Sequence, residues 1–198
     1  MTGAEILAEA DERVPNAFTT DQKARWLDDV HREFFEVVKV PATVSASVLA
    51  GQSQIPLPAD ARGRNITLVL VAGGEYRPLA FDDSYRPGLN YYVYDEAMQQ
   101  LVLNPPAPIA GQALVRYFRV PTVVFDATNL SATPEVPEAY HHALVLGVCM
   151  HIAKAQNDIA LANNYTQEYT AALQVAQHNH GLFNTIQGLL DAAGGGRR

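Results

Sequence analysis

Residues 136–158, VPEAYHHALVLGVCMHIAKAQND, bring three histidines and the single cysteine of the chain into one short segment. Histidine nitrogens and cysteine thiolates are the usual ligands of zinc. Two side chains of one helix can hold the same ion when they are three or four residues apart, because those positions share a face on adjacent turns. His141, His142, Cys149 and His151 are separated from one another by 1, 2, 7, 8, 9 and 10 residues, so no pair qualifies. We therefore predict no metal site and no cofactor here.

The same segment is better explained as a packed helix. Apolar residues recur at helical spacing and predict a buried stripe, with Cys149 as a small apolar member and the histidines at the borders of the stripe. The stripe comprises Leu144, Val145, Val148, Ile152 and Ala155. A thiol in such surroundings has no activating neighbour, so we predict that it is inert.

Other catalytic patterns are also missing from the sequence, which contains no G-x-S-x-G, P-loop, G-x-G-x-x-G or H-E-x-x-H motif. Asp82, Asp83, Asp95 and Glu96 stand beside turn residues, where carboxylates more often solvate or brace a loop than act in pairs. We predict no catalytic residue. A hydrolase or carbohydrate-binding module built on the β-rich region, 42–126, is the alternative from a different class of function. Clustering of Asp82, Asp83 and Asp95 in an aromatic-lined pocket would favour it.

Size and charge narrow the classes of function. The chain has 198 residues, enough for one domain or a domain with a subdomain, and its one cysteine excludes an intrachain disulfide. Its net charge of −7 predicts no general attraction to nucleic acid or to an anionic membrane. No window approaches the roughly 20 apolar residues of a membrane span, and the first residues lack the layout of a secretory signal, so we expect synthesis in the cytosol.

The N-terminal part of the sequence predicts two helices. Apolar residues at helical spacing mark an amphipathic helix over 20–40, after a shorter helix around 4–11. Thr19 and Gln22 fit a capping box at its start. Pro41 ends it, because the residue before a proline avoids the α region.

The middle of the chain, 42–126, is predicted to form five or six short strands joined by turns, in an antiparallel sheet or small sandwich. Tyr91 and Tyr92 are consecutive, so their side chains point to opposite faces of a strand. Unless both are covered, one tyrosine is therefore exposed and available as a contact surface, although ordinary cross-strand pairing explains the two residues equally well.

Helical spacing returns near the C-terminus and predicts a helical hairpin, with a first helix from Pro137 to about Ala155 and a second from about Ile159. After it come a short apolar piece, a glycine run and two arginines, which we expect to be weakly ordered unless something holds them. The predicted fold class is α+β: a helical core, formed by the N-terminal amphipathic helix and the C-terminal hairpin, with an inserted antiparallel β region. The predicted divisions are 1–41, 42–126, 127–181 and 182–198.

The order of several segments carries a family resemblance. These are ARWLDDVHREFFEV, then IPLPADARGRNITLVLVAGGEYRPL, then YYVYDEAMQQLVLNPPAPIAGQALVRYFRVP, and finally VPEAYHHALVLGVCMHIAKAQNDIALANNYTQEYTAAL. Together they resemble the head-to-tail adaptor (connector) proteins of tailed bacteriophages, over about residues 19–173. None of these segments is a catalytic signature, so the resemblance rests on their order.

The resemblance implies a structural virion protein made in the host bacterial cytoplasm and located in the neck of the particle. Such proteins form a ring, usually of twelve copies, that docks under the portal protein, receives tail or neck proteins, and lets DNA pass without binding it specifically. Neither a cofactor nor a membrane is implied. The alternative within virions is another neck or tail-completion protein with the same hairpin.

The resemblance also implies where contacts would lie. A terminal segment often inserts into the portal, and here the tail supplies the candidates: Leu182, Phe183, Ile186, Leu189, Leu190, Arg197 and Arg198. Tyr91, Tyr92, His141 and His142 are the candidates for contacts with neighbouring subunits or tail proteins.

Overall fold

A computed structural model describes the backbone of residues 1–79 and 88–194, and the side chains of 1–79 and 88–180. The described residues form four helices and a seven-stranded sheet, which confirms the α+β class. They divide into two compact units: a helical unit, Met1–Lys39 with Pro121–Arg198, and a β unit, Val40–Val120. The functional division of the chain that we predicted from sequence stays a prediction.

The helical unit contains α1 (Gly3–Arg13), α2 (Thr20–Val38), α3 (His141–Ala155) and α4 (Ile159–Gly194). The capping box of α2 forms as predicted, because the Thr19 hydroxyl accepts from the backbone N–H of Gln22 and the Gln22 side chain accepts from the N–H of Thr19. One face of α2 is buried, as its apolar spacing requires.

Helix α3 is the centre of this unit, because it contacts α1, α2 and α4. We predicted a buried stripe with histidines at its borders, but burial extends round almost the whole helix from His141 to Ala153. His141 is therefore inside, and Ala155, which we placed in the stripe, is exposed. Packing on several sides removes the solvent-facing side that an amphipathic pattern presupposes.

Helix α4 continues as a single helix to Gly194 and is longer than the predicted second arm of the hairpin. Its packing face contains Ala162, Tyr169, Leu173 and Ala176, all buried. The side chains after residue 180 lie outside the described residues.

The β unit contains seven strands in the order β1-β7-β3-β4-β5-β6-β2. They are β1 (Pro41–Val48), β2 (Gln54–Pro56), β3 (Ile66–Val71), β4 (Gly74–Pro78), β5 (Tyr91–Asp95), β6 (Gln100–Asn104) and β7 (Gly111–Phe118). We predicted an antiparallel arrangement, but the sheet is mixed, because β4 and β5 are parallel. Parallel neighbours need a connection of about a dozen residues, and residues 79–90 supply that length.

The sheet must curl, because its two edge strands are joined by a short link. Only residues 49–53 separate β1 from β2, and they can span at most about 21 Å. The edges of a flat seven-stranded sheet would be about 29 Å apart. Accordingly, side chains from all seven strands meet in one apolar core. Asp60 fixes the loop after β2 to the end of β7, accepting from the Tyr117 hydroxyl at 2.9 Å and from Arg119 Nε at 2.6 Å.

The packing of α3 makes Gly147 sensitive to substitution. A Cβ at this position would lie 2.5 Å and 2.8 Å from the two γ carbons of Val30. We expect Gly147→Ala to lower the free energy of unfolding by about 1–3 kcal/mol, because overpacking against a buried branched residue outweighs the gain in helix propensity. Chemical denaturation measures this change.

Val30→Ala supplies the control, because it removes the γ carbons that the new methyl group would meet. In that background Gly147→Ala should cost much less. Equal costs in both backgrounds would contradict this account of the glycine.

Candidate functional site

His141 and His142, at the start of α3, lie in different environments. The imidazole of His141 is buried, with Nε2 2.9 Å from the Val136 carbonyl oxygen and Nδ1 3.0 Å from the Met1 amino nitrogen. His142 is exposed, and its Nδ1 lies 3.8 Å from a carboxylate oxygen of Glu9. Of the two predicted contact residues, only His142 therefore presents its ring at the surface of the described chain.

Cys149 and His151 lie farther along the same helix. Burial raises the pKa of the Cys149 thiol to about 11, so the nucleophilic thiolate is scarce at neutral pH. The His151 ring stacks on Trp26, with centroids 6.2 Å apart and planes within 8°. Burial, with Lys154 nearby, lowers the pKa of His151. Among the described residues, no group of three or more His, Cys, Asp or Glu side chains could hold a metal ion.

A buried polar cluster on α2 was not expected from spacing. His31 is fully buried, and its ring meets those of Phe35 and Phe125 edge to face, at centroid distances of 5.5 Å and 5.2 Å. Its Nε2 accepts from the backbone N–H of Glu135 at 3.3 Å. Burial lowers the pKa of His31 to about 4, although the carboxylates of Glu135 and Asp28 act in the opposite direction.

The cluster joins α2 to the irregular segment 121–137, which lies between β7 and α3 in the sequence. The Glu135 carboxylate accepts from the backbone N–H groups of Thr122 and Val123, at 2.6 Å and 2.9 Å. Asp28 accepts from the N–H of Phe125 at 2.9 Å. One signal for His31 is present in the sequence, because this residue follows Val30 within the apolar spacing of α2. A polar side chain buried at such a position needs a hydrogen-bond partner.

Tyr91 and Tyr92 are both covered, with 7% and 5% of their surface exposed. The exposed tyrosine face that supported a contact role is therefore absent at these two positions. Tyr92 belongs to the apolar core of the β unit, and the exposed large side chain of β5 is Val93. A contact role for the tyrosines stays a prediction that exposure no longer supports.

The acids of the alternative enzyme hypothesis do not form a described site. Asp82 and Asp83 lie outside the described residues. Asp95 accepts from the backbone N–H of Met98 at 3.2 Å and from Gln100 Nε2 at 3.3 Å, so it braces the turn between β5 and β6. This is the loop-bracing role common for aspartate in turns.

Charge divides unequally between the two units. Residues 40–120 contain six acids and six bases, so the net charge of −7 belongs to the helical unit, with fifteen acids and eight bases. Within that unit, residues 1–39 hold nine acids and five bases. Helix α4 differs, because Glu168 is its one acidic residue between 159 and 180, where it has no lysine or arginine.

Between residues 159 and 180 the exposed side of α4 carries one charged side chain, Glu168. It presents Asn163, Asn164, Gln167, Thr170 and Gln174. It also presents Ile159 and Val175, 75% and 58% exposed. A solvated helix usually carries charges of both signs on such a face.

The predicted portal-docking residues cannot be placed. The backbone at 182, 183, 186, 189 and 190 belongs to α4, but their side chains lie outside the described residues, as do Arg197 and Arg198 entirely. Their docking role stays a prediction.

The polar side chains described above mainly brace the fold. The chain matches the SU10 adaptor protein family over residues 1–186, and it belongs to that family, a family of phage head-to-tail adaptors. No curated protein sequence matches it. The adaptor resemblance is thereby confirmed, and membership indicates a structural phage protein that contacts other head or tail proteins. None of the described helices has the length and apolar character needed to cross a bilayer.

His31 leads to a prediction about pH. Because its pKa is lowered on folding, the unfolded chain binds a proton more readily between about pH 6.5 and pH 4, and stability falls as pH falls through that window. We expect preferential protonation of His31 in the unfolded chain to lower the free energy of unfolding by about 2–3 kcal/mol between pH 7 and pH 4. Urea unfolding at several pH values measures this loss.

His31→Gln is the matched variant, since it keeps a polar side chain but cannot ionise in this range. It should lower stability at pH 7 yet flatten the fall toward pH 4. Part of the fall remains, because burial also lowers the pKa of His151 and His180. An unchanged slope in the variant would show that His31 does not carry the effect.

Proposed function

We propose that this chain is the head-to-tail adaptor that joins the portal to the tail. It does so by closing a ring of identical copies, twelve by analogy with such connectors, around the path of the genome. The observation that carries the proposal is the family match over residues 1–186 of 198. The helical unit forms the ring wall, and the partners are the chain itself, the portal protein, and tail or neck proteins. The site of action is the neck of the virion.

Electrostatics support a passage that does not retain DNA. Affinity for DNA rises with the number of phosphates that lysine and arginine neutralise. The helical unit carries a net charge of −7, and repetition around a ring multiplies that charge. A lumen formed by α1 and α2, where acids outnumber bases nine to five over residues 1–39, would repel the duplex and let it slide.

The exposed side of α4, with its single charge, suits the contact between neighbours in the ring. Charged side chains lose their hydration when an interface closes, and that loss is costly unless each charge is paired. Helix α4 keeps this cost small, since Glu168 is the one charged side chain that it exposes between residues 159 and 180, beside amides, a hydroxyl and the apolar side chains of Ile159 and Val175. A head-to-tail ring contact joins this face to a different surface of the next copy.

The tail, 182–198, is the proposed portal-docking segment. It contains five large apolar residues in the last part of the α4 sequence, followed by two arginines.

We expect deletion of residues 182–198 to leave the helical unit folded and to abolish docking on the portal. Circular dichroism and thermal unfolding of the deleted protein test folding. Co-sedimentation with the portal assembly, followed by electron microscopy of the complexes, tests docking. Undiminished docking by the folded deletion variant would remove the tail from the proposal.

Deletion of residues 195–198 alone is the matched control. It removes Arg197 and Arg198 but retains Leu182, Phe183, Ile186, Leu189 and Leu190. If the apolar residues dock, this shorter deletion keeps most of the binding; if the arginines dock, it loses as much as the longer one. Images of the portal complex also count the copies, and a single copy per portal would refute the ring.

Val175→Arg tests the α4 contact. Placing a cation on a face that becomes buried between neighbours should reduce ring closure on the portal by tenfold or more, because the arginine would lose its hydration without a partner. Ser131→Arg adds the same charge at another exposed position of the helical unit and serves as control. Equal ring yields for the two variants would exclude this face from the contact.

A further inference from the structure

Among the described residues, none pairs with the outer backbone edge of strand β1. This edge is called the bare edge below. The Val40 carbonyl accepts from the N–H of Arg119 at 2.9 Å, and the register with β7 then alternates hydrogen-bonded and non-hydrogen-bonded pairs. The N–H and C=O groups of Thr43, Ser45 and Ser47 consequently point away from β7. These residues are exposed, and no backbone hydrogen bond joins them to other parts of the described chain.

The usual protections of an edge strand are missing from β1. Proteins guard such edges with charged side chains, prolines, bulges or very short strands. Strand β1 has eight residues, no charged side chain and an unbroken register with β7, and its one proline is at the first position. Three N–H and three C=O groups are therefore available to another strand.

The opposite edge of the same sheet is protected. Strand β2 has only three residues and ends in Pro56, which has no N–H. The carbonyl of Gln54 is already occupied, because it accepts from Gln52 Nε2 at 2.7 Å. The bare edge of one copy would thus find a poor match in β2 of another.

The bare edge is instead complementary to itself. In an antiparallel pair centred on Ser45, the outward-pointing residues face one another as Thr43 with Ser47, Ser45 with Ser45, and Ser47 with Thr43. Each facing pair exchanges two hydrogen bonds. The side chains beside these bonds are small hydroxyls, so they neither clash nor repel.

The intervening positions fit the same register. Ala42 faces Val48, and Val44 faces Ala46, so that every pair on the inner surface of the sheet joins one alanine to one valine. Ala42 and Val44 are partly buried against the core of the β unit. A second strand would extend that apolar surface instead of exposing it.

The ends of β1 limit the pairing. Pro41 has no N–H, and the N–H of Leu49 already donates to the Gln52 side chain at 3.0 Å. Leu49, 72% exposed, would stand opposite Pro41 of the other copy and be partly covered.

We propose that two copies of this chain pair through β1, antiparallel and about a two-fold axis at Ser45. A two-fold contact closes on itself, so it cannot join successive neighbours around a ring. The pair belongs to the chain before assembly, and this inference therefore goes beyond the proposed function and does not depend on it.

A cysteine substitution tests the register. In a facing hydrogen-bonded pair the Cα atoms are about 5.5 Å apart, within the range that a disulfide spans. Ser45→Cys should therefore form a cross-linked dimer under mild oxidation. In Thr43→Cys the two new thiols are offset by four residues, about 14 Å along the strands, and should not cross-link. The native Cys149 is buried. Equal cross-linking of both variants, or of neither, would overturn the pairing.

Sedimentation of the full chain tests the hydrogen bonds. Wild type at about 100 µM should show a reversible monomer–dimer equilibrium, and a monomer there would refute the proposal. Ser45→Pro removes an N–H that points away from β7, so the β1–β7 ladder is kept. The proline variant should raise the dissociation constant of the dimer about tenfold or more. Ser45→Ala keeps the N–H and should change that constant less than about threefold.

Ser45→Lys settles the question if the proline variant fails to fold. It leaves the backbone intact and brings two like charges together at the axis, so it should also favour the monomer. If none of the three variants changes the dimer, β1 is excluded from the contact. The dimer then forms through another surface, and the bare edge is left for a strand of a different protein.

Discussion

The helical unit depends on the burial of one helix, α3. Between His141 and Ala153 this helix has no Lys, Arg, Asp or Glu, and nearly all of its circumference is covered by other helices. Gly147 allows Val30 of α2 and Tyr169 of α4 to approach the α3 backbone. Because α3 has no side that water could cover favourably, it requires α1, α2 and α4 together. Segments more than a hundred residues apart must therefore pack as one unit, and residues 40–120 form a second one.

Local rules predicted much of this architecture. The capping box at Thr19 and Gln22, the apolar spacing of α2 and the start of α4 after residue 158 follow from interactions within a few residues. The buried partners of His31 and His141 do not, because each side chain bonds to backbone that is distant in sequence or lies in an irregular segment. Periodicity identifies a face, but it does not identify what covers that face.

The β unit shows the same limit. Alternation marked where strands lie, yet it did not indicate that β4 and β5 pair in parallel. Burial of Tyr92 likewise depends on a core to which all seven strands contribute, and the strand pattern around residue 92 does not contain that information. A prediction made strand by strand cannot include a constraint that involves all seven.

The candidate surfaces were difficult to find from sequence for a chemical reason. Catalytic and metal sites gather titratable groups, whereas assembly surfaces must lose water cheaply and so tend to lack charge. The exposed side of α4, which has a single charge, and the uncharged edge of β1 both approach this property but differ in symmetry. The first suits a head-to-tail contact, and the second is complementary to itself. Because the two surfaces lie in different units, a change that abolishes one contact need not disturb the other, and pairing of the free chain can be separated experimentally from closure of the ring.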